Sequence, residues 1–146
     1  MQITSRFTIA VHLITAIEYF KDMDRVNSEF LAGSIGVNPV IVRTVTSKLR
    51  EAGILNTQRG SSGATLAKPL DEITFYDVYE AVDSVDSGEG LFHFHEQPNP
   101  QCPVGRNIHK ALDSRLSDVQ KAMEDELRRT TVADVAESIR QELASE

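Results

Sequence analysis

Apolar residues recur along most of this chain with the period of an α-helix, and the breaks in that pattern fall at residues suited to starting or stopping one. Phe7, Ala10, Val11, Ile14 and Ile17 lie three or four positions apart and predict a helix from Ser5 to about Phe20. After the polar "KDMDRVN", Phe30 and Leu31 mark a short helix over 28–34, with Asn27 or Ser28 as its cap. In "SIGVNPVIV", Gly36 suits the left-handed residue that ends a helix. Asn38 can cap the next helix, and Pro39 fits its first position, where no N–H is needed. Val37 and Val42 stand at the two positions of a hydrophobic staple. A third helix from Pro39 to about Ala52, ended by Gly53, completes a helix-turn-helix.

The period then shortens. "ILNTQ" and "ATLA" are strand-like runs around the five-residue loop "RGSSG", the pattern of a small β-wing. Thr74 and Asp77 form a capping box, with Ile73 and Val78 as a staple, for a helix ending near Val82. "DSVDSGEGLFHFHEQPNPQ" is rich in Gly, Pro and Asp and reads as a boundary. Beyond it Val104, Ile108, Leu112, Leu116, Val119, Met123 and Leu127 follow at spacings of 4, 4, 4, 3, 4 and 4, one stripe along a helix expected to begin at Pro103. A helix this long at the end of a small domain has little of its own chain to cover it, so a second copy of itself is the expected cover. Thr131, with Asp134 three residues on, caps a last helix carrying Val132, Val135, Ile139 and Leu143. The expected fold is mainly α with a small β-wing: a winged helix-turn-helix domain over 1–83, a loop and sensor segment over 84–102, and dimerisation and C-terminal helices over 103–146.

Composition narrows the class. With 146 residues, 40% apolar and 25% charged, the chain has the make-up of a soluble globular domain with an added oligomerisation element. One cysteine makes no internal disulfide. "MQITSRFTIAVHLITAIEYF" opens like a leader, but His12 interrupts the apolar run, Glu18 closes it and no small-residue cleavage site follows. It is also shorter than the ~20 apolar residues of a membrane span, so a buried helix, a cytoplasmic location and no membrane partner are expected.

Charge points to a partner. Residues 36–68 hold Arg43, Lys48, Arg50, Arg59 and Lys68 against Glu51 alone, a local charge of +4 in a chain of −7, so the remainder carries −11. Cations gathered on a helix-turn-helix frame suit double-stranded DNA. The start of a recognition helix reaches base edges, here Asn38, Pro39, Val40, Ile41 and Arg43. Val40 or Ile41 can meet a thymine methyl, and Arg43 can pair with guanine or grip phosphate. Thr44, Ser47 and Lys48, further along that face, suit phosphate oxygens. Arg59 and Ser61 fall at the wing tip, where a long cation can enter a narrow minor groove. Val42, Val45 and Leu49 form the opposite, core-facing stripe. A winged-helix module that binds protein and not DNA is the alternative, which the cations disfavour. No paired carboxylates in a glycine-rich setting, nucleophile elbow or phosphate loop speak for catalysis.

"ITSRFTIAVHLI", "SIGVNPVIVRTVTSKLREAGIL", "QRGSSGATLAK" and "EITFYDVYEAV" together resemble, in order, the Rrf-two (Rrf2) family of winged-helix transcription regulators, which includes the iron–sulfur-cluster regulator and the nitric-oxide-sensitive repressor. The resemblance implies a homodimer that controls promoters through an imperfect palindrome, here expected to be a repressor, and it fits a dimerisation helix from Pro103. Family members that hold a cluster carry three cysteines in the preceding loop, whereas this chain has only Cys102, aligned with the last of them. No iron–sulfur cluster or other cofactor is therefore expected.

Cys102 precedes Pro103. Were Pro103 the first helical residue, Cys102 would be the N-cap, where the helix dipole and Arg106 favour a thiolate open to oxidants or electrophiles. The other reading is an inert cap under the loop. His93, His95 and His109 are weak metal candidates, since their spacing with Cys102 matches no compact metal motif.

Overall fold

A computed structural model describes residues 3–23, 26–56, 64–83 and 91–146. The first helix, α1 (Ser5–Tyr19), is capped by Thr4, whose side chain accepts from Arg6 N–H. Its burial is wider than one stripe. Ile9, Ala10, Val11, Leu13, Ile14, Thr15, Ala16 and Ile17 are all buried, because α2, α3, α4 and α6 pack around it. A helix apolar on nearly every side is a core helix, and only exposed His12 interrupts the run. His12 Nε2 lies 3.0 Å from Ser34 Oγ.

Helix α2 (Ser28–Ile35) begins at Asn27, which accepts from Phe30 N–H at 2.9 Å. It ends at Gly36, whose φ of 82° is the left-handed conformation that glycine adopts without Cβ strain. Helix α3 (Pro39–Glu51) follows, with Asn38 as cap and Pro39 in its first turn. Gly53, at φ 78°, then turns the chain so that Ile54 N–H donates to Leu49 O at 3.0 Å. Leu55 and Leu66 form an antiparallel bridge. Asn56 N–H donates to Thr65 O and Ala67 N–H to Ile54 O, both at 2.9 Å. These pairs bring together the two runs read as strands; the tip between them, with Arg59 and Ser61, lies outside the described residues.

A 3₁₀ turn over Leu70–Glu72, which the periodicity did not signal, leads into α4 (Phe75–Val82). The long helix α5 (Ile108–Arg129) runs back alongside α4, and α6 (Val132–Ala144) returns to α1. The junction is specific. Phe75 N–H donates to Thr130 O at 2.8 Å and Val132 N–H to Ile73 O at 2.9 Å. Both helices that start there carry complete capping boxes, Thr74 with Asp77 and Thr131 with Asp134. Beside them, Arg128 lies 4.0 Å from the Tyr76 ring centroid. The Tyr76 hydroxyl donates to Glu80 at 2.6 Å, and that bond holds the phenol above its ordinary pKa. Val132 is fully buried in the same core as Leu13, Ile14, Val42, Val45, Leu49 and Val78. By packing, α6 therefore belongs with the first 83 residues.

Two expectations change. The long helix starts at Ile108, not Pro103, so Cys102 is not its N-cap; that position is Asn107. Residues 99–107 instead close successive turns, with Cys102 N–H donating to Asn99 O at 3.1 Å and Arg106 N–H to Cys102 O at 3.0 Å. Gly105 lies so close to Asn99 that a Cβ on it would stand 2.5 Å from Asn99 O. Val104 is consequently off the helix and 69% exposed. No described helix is long and apolar enough to cross a membrane.

If α6 is part of the N-terminal core, Val132→Ala should destabilise the whole domain by about 2 kcal/mol, by removing buried methyls and leaving a cavity. Chemical denaturation followed by helical circular dichroism should show one transition moved to lower denaturant, with α1–α4 and α6 lost together.

Candidate DNA-binding face and sensor segment

Helix α3 has two unlike faces. Val42, Val45 and Leu49 are fully buried against the core. Val40, Arg43, Thr44 and Ser47 project outward, with Lys48 half-buried beside them. Val40 is 58% and Ile41 41% exposed. Asn38 Oδ1 accepts from Val40 N–H at 2.8 Å, and the Thr44 hydroxyl donates to Val40 O at 3.0 Å. Eight of the ten residues predicted to meet DNA, all but Arg59 and Ser61, thus fall in the cap and helix of α3. Pro39 serves mainly to start that helix.

Sequence reasoning missed Asp83. This residue ends α4 and is fully buried, and its Oδ1 accepts from Thr4 Oγ at 2.6 Å and from Thr4 N–H at 3.3 Å. Arg6 Nε stands 3.9 Å from the same oxygen. Asp83 Oδ2 is buried with no hydrogen-bond partner among the described residues. The carboxylate ties the start of α1 to the end of α4. An aspartate after a helical run signals only a loop, so no local pattern marked it.

The segment after the boundary folds back along α5. Leu91 N–H donates to Gln120 Oε1 at 2.8 Å, and Phe92, His93 and Phe94 line, with Leu116, a cavity of about 520 Å³. His109 Nε2 donates to His95 O at 2.9 Å, and the two imidazole centroids are 5.2 Å apart. That bond occupies Nε2 and removes it as a metal ligand. Among the described residues, no group of three or more His, Cys, Asp or Glu side chains is placed to hold a metal. Cys102 is a free, half-buried thiol in the turns before α5, so a helix dipole acting from an N-cap position has no part in its chemistry.

The profile of the Rrf2 family, described as iron-dependent transcriptional regulators, matches residues 3–138. The chain belongs to the Rrf2 family. YwnA of Bacillus subtilis strain 168, which bears the name of an HTH-type transcriptional regulator, is 42% identical over 134 residues, 91% of this chain and 96% of YwnA. A crystal structure described as that of a DNA-binding protein is 37% identical, with a TM-score of 0.71, and covers 90% of this chain and 98% of its own. CymR, the global cysteine regulator of B. subtilis, shares the fold at a TM-score of 0.67 with 16% identity, over 94% of this chain and 98% of its own. This Rrf2 chain is a transcription regulator of the helix-turn-helix type, in a family of regulators and not of enzymes. The family description names iron, but one cysteine and a hydrogen-bonded His109 do not fit a thiolate-held cluster within a subunit.

Gly105 gives the turn a direct test. In Gly105→Ala the new methyl must push Asn99 away, at a cost of about 1–3 kcal/mol of local stability. The Cys102 thiol should then react faster with a disulfide reagent than in the parent protein, while the α1–α4 core keeps its melting temperature.

Proposed function

We propose that the chain acts as a homodimer on two-fold symmetric double-stranded DNA, places one α3 in the major groove of each half-site, and represses transcription from there. One observation carries the reading: α3 is fixed to the core by Val42, Val45 and Leu49, and shows Val40, Arg43, Thr44, Ser47 and Lys48 on its outer side. The bridge between Leu55 and Leu66 supports a β-wing, and we assign Arg59 and Ser61, which fall between its two runs in the sequence, to the adjacent minor groove. The neighbour described as a DNA-binding protein, at 37% identity, supports the same partner.

Helix α5 supports the dimer. It is 22 residues long and has no fully buried residue within one subunit, with Ile108, Leu112, Leu116, Met123 and Leu127 half-buried and Val119 51% exposed. A second α5 would complete that burial. The two half-sites should then lie about one helical turn apart, ~34 Å, a spacing that footprinting of a genomic operator measures. Val119→Asp is expected to leave the subunit folded, halve the sedimenting mass and weaken operator binding at least a hundredfold, because the half-sites no longer bind together. A mutant that still sediments as a dimer would remove α5 from the interface.

Two further tests address the wing and the thiol. Arg59→Ala should lower the log–log salt slope by about two ions per dimer, from ~0.9 per phosphate contact; an unchanged slope would mean that Arg59 does not neutralise phosphate. We assign an oxidant or electrophile response to Cys102, supported by its free thiol in turns that lead directly into α5. Cys102→Ser should bind the operator as the parent does and lose any fall in affinity after peroxide or quinone treatment.

A further inference from the structure

The outward side of α3 offers fewer free polar groups than its sequence suggests. Asn38 could read adenine only by accepting from the base amino group through Oδ1 while donating through Nδ2. Its Oδ1 is already engaged with Val40 N–H at 2.8 Å, closing the helix N-terminus. Thr44 spends its hydroxyl proton on Val40 O at 3.0 Å, which leaves it no donor for a base. What remains in the first turns is the Asn38 amide nitrogen, the branched side chain of Val40, 58% exposed, and the exposed Arg43 three residues on. Residues three apart are neighbours on a helix surface, so these two reach adjoining base pairs. Ile41, 41% exposed, stands at the edge of that face.

An exposed valine at this point has a specific complement. In the major groove the one apolar feature on a base edge is the C5-methyl of thymine, and guanine offers the paired acceptors that suit a guanidinium. The charge of the segment, +4 within an acidic chain, supplies the attraction that brings the face to a polyanion. We propose that Val40 reads the methyl of a thymine lying beside a guanine read by Arg43, so that sequence choice at the centre of each half-site rests on an apolar contact. The inference deepens the DNA-binding reading above and depends on it.

Deoxyuridine isolates the contact, because it differs from thymidine only by the missing methyl and keeps every hydrogen-bonding group. The full chain should first be used to select its operator from a random duplex library. Each thymine of that operator is then replaced singly by deoxyuridine, and binding is measured for the parent and Val40→Ala. One thymine per half-site is expected to lose about fourfold in affinity when its methyl is removed, and both together about fifteenfold, on the scale of one buried carbon each. In Val40→Ala the two duplexes should bind nearly alike at those positions. That ratio is internal to each protein, so partial unfolding of the variant does not affect it. A selected operator indifferent to deoxyuridine everywhere, or a Val40→Ala protein that keeps the parent's discrimination, would overturn the inference and leave the DNA-binding reading standing. Selection of no sequence at all would overturn both.

Discussion

The junction of residues 73–75 with 130–132 governs the architecture, because it decides where the long helix can go. Two backbone hydrogen bonds and the buried Val132 fix the start of α6 beside the start of α4. Helix α5 must therefore finish there. Helices α4 and α6 each have orphan N–H groups in their first turn, and each satisfies them with its own Thr-x-x-Asp box. The two boxes lie side by side without competing for donors, so the backbone between them remains free to pair.

From that anchor α5 extends along α4 and then past it. Its C-terminal half is held by Arg128 over Tyr76, while residues 91–95 lie along the rest of it. The segment that covers it is largely exposed, and its contacts to α5 include the Leu91 N–H donated to Gln120, the His95 carbonyl accepting from His109 Nε2, and the Phe94 and His95 rings against His109. Such cover opens more readily than a packed core. The turns that hold Cys102 lead into the N-terminal end of this helix, whose C-terminal end is fixed to the body that carries α3.

The parts written in local patterns were legible in the sequence. Gly36, Asn38 and Pro39 each answer a requirement of the chain at one point, and the helix boundaries around them fall within a residue or two of expectation. The Thr74 and Thr131 caps were legible for the same reason. Contacts distant in sequence were not. The start of α5 was misplaced because Cys102-Pro103 has the local form of a cap, while the fact that decides against it is the approach of Gly105 to Asn99. Asp83 bonds a residue 79 positions away, and periodicity carries no information at that range. The stripe from Ile108 to Leu127 was found correctly, but its period could not tell how much of it α4 and the 91–95 segment already cover.

The reading face shows how a helix serves two masters in thirteen residues. Its inner side must be apolar to hold it on the core, and Val42, Val45 and Leu49 do so. Its outer side could have been wholly polar at no cost to the fold, yet Val40 and Ile41 are exposed there. Exposed apolar residues scattered singly need no explanation, but here both stand in the first turn, next to the only cation of that turn's face. Their neighbours' polar atoms are consumed by the helix itself, Asn38 in capping it and Thr44 in bonding back to the turn before. The cap that makes the helix start at Pro39 therefore also engages the Asn38 side-chain oxygen at its tip. Local folding chemistry draws on the same few atoms that base recognition would use, and where folding takes them the first turn is left with branched methyl groups beside one guanidinium.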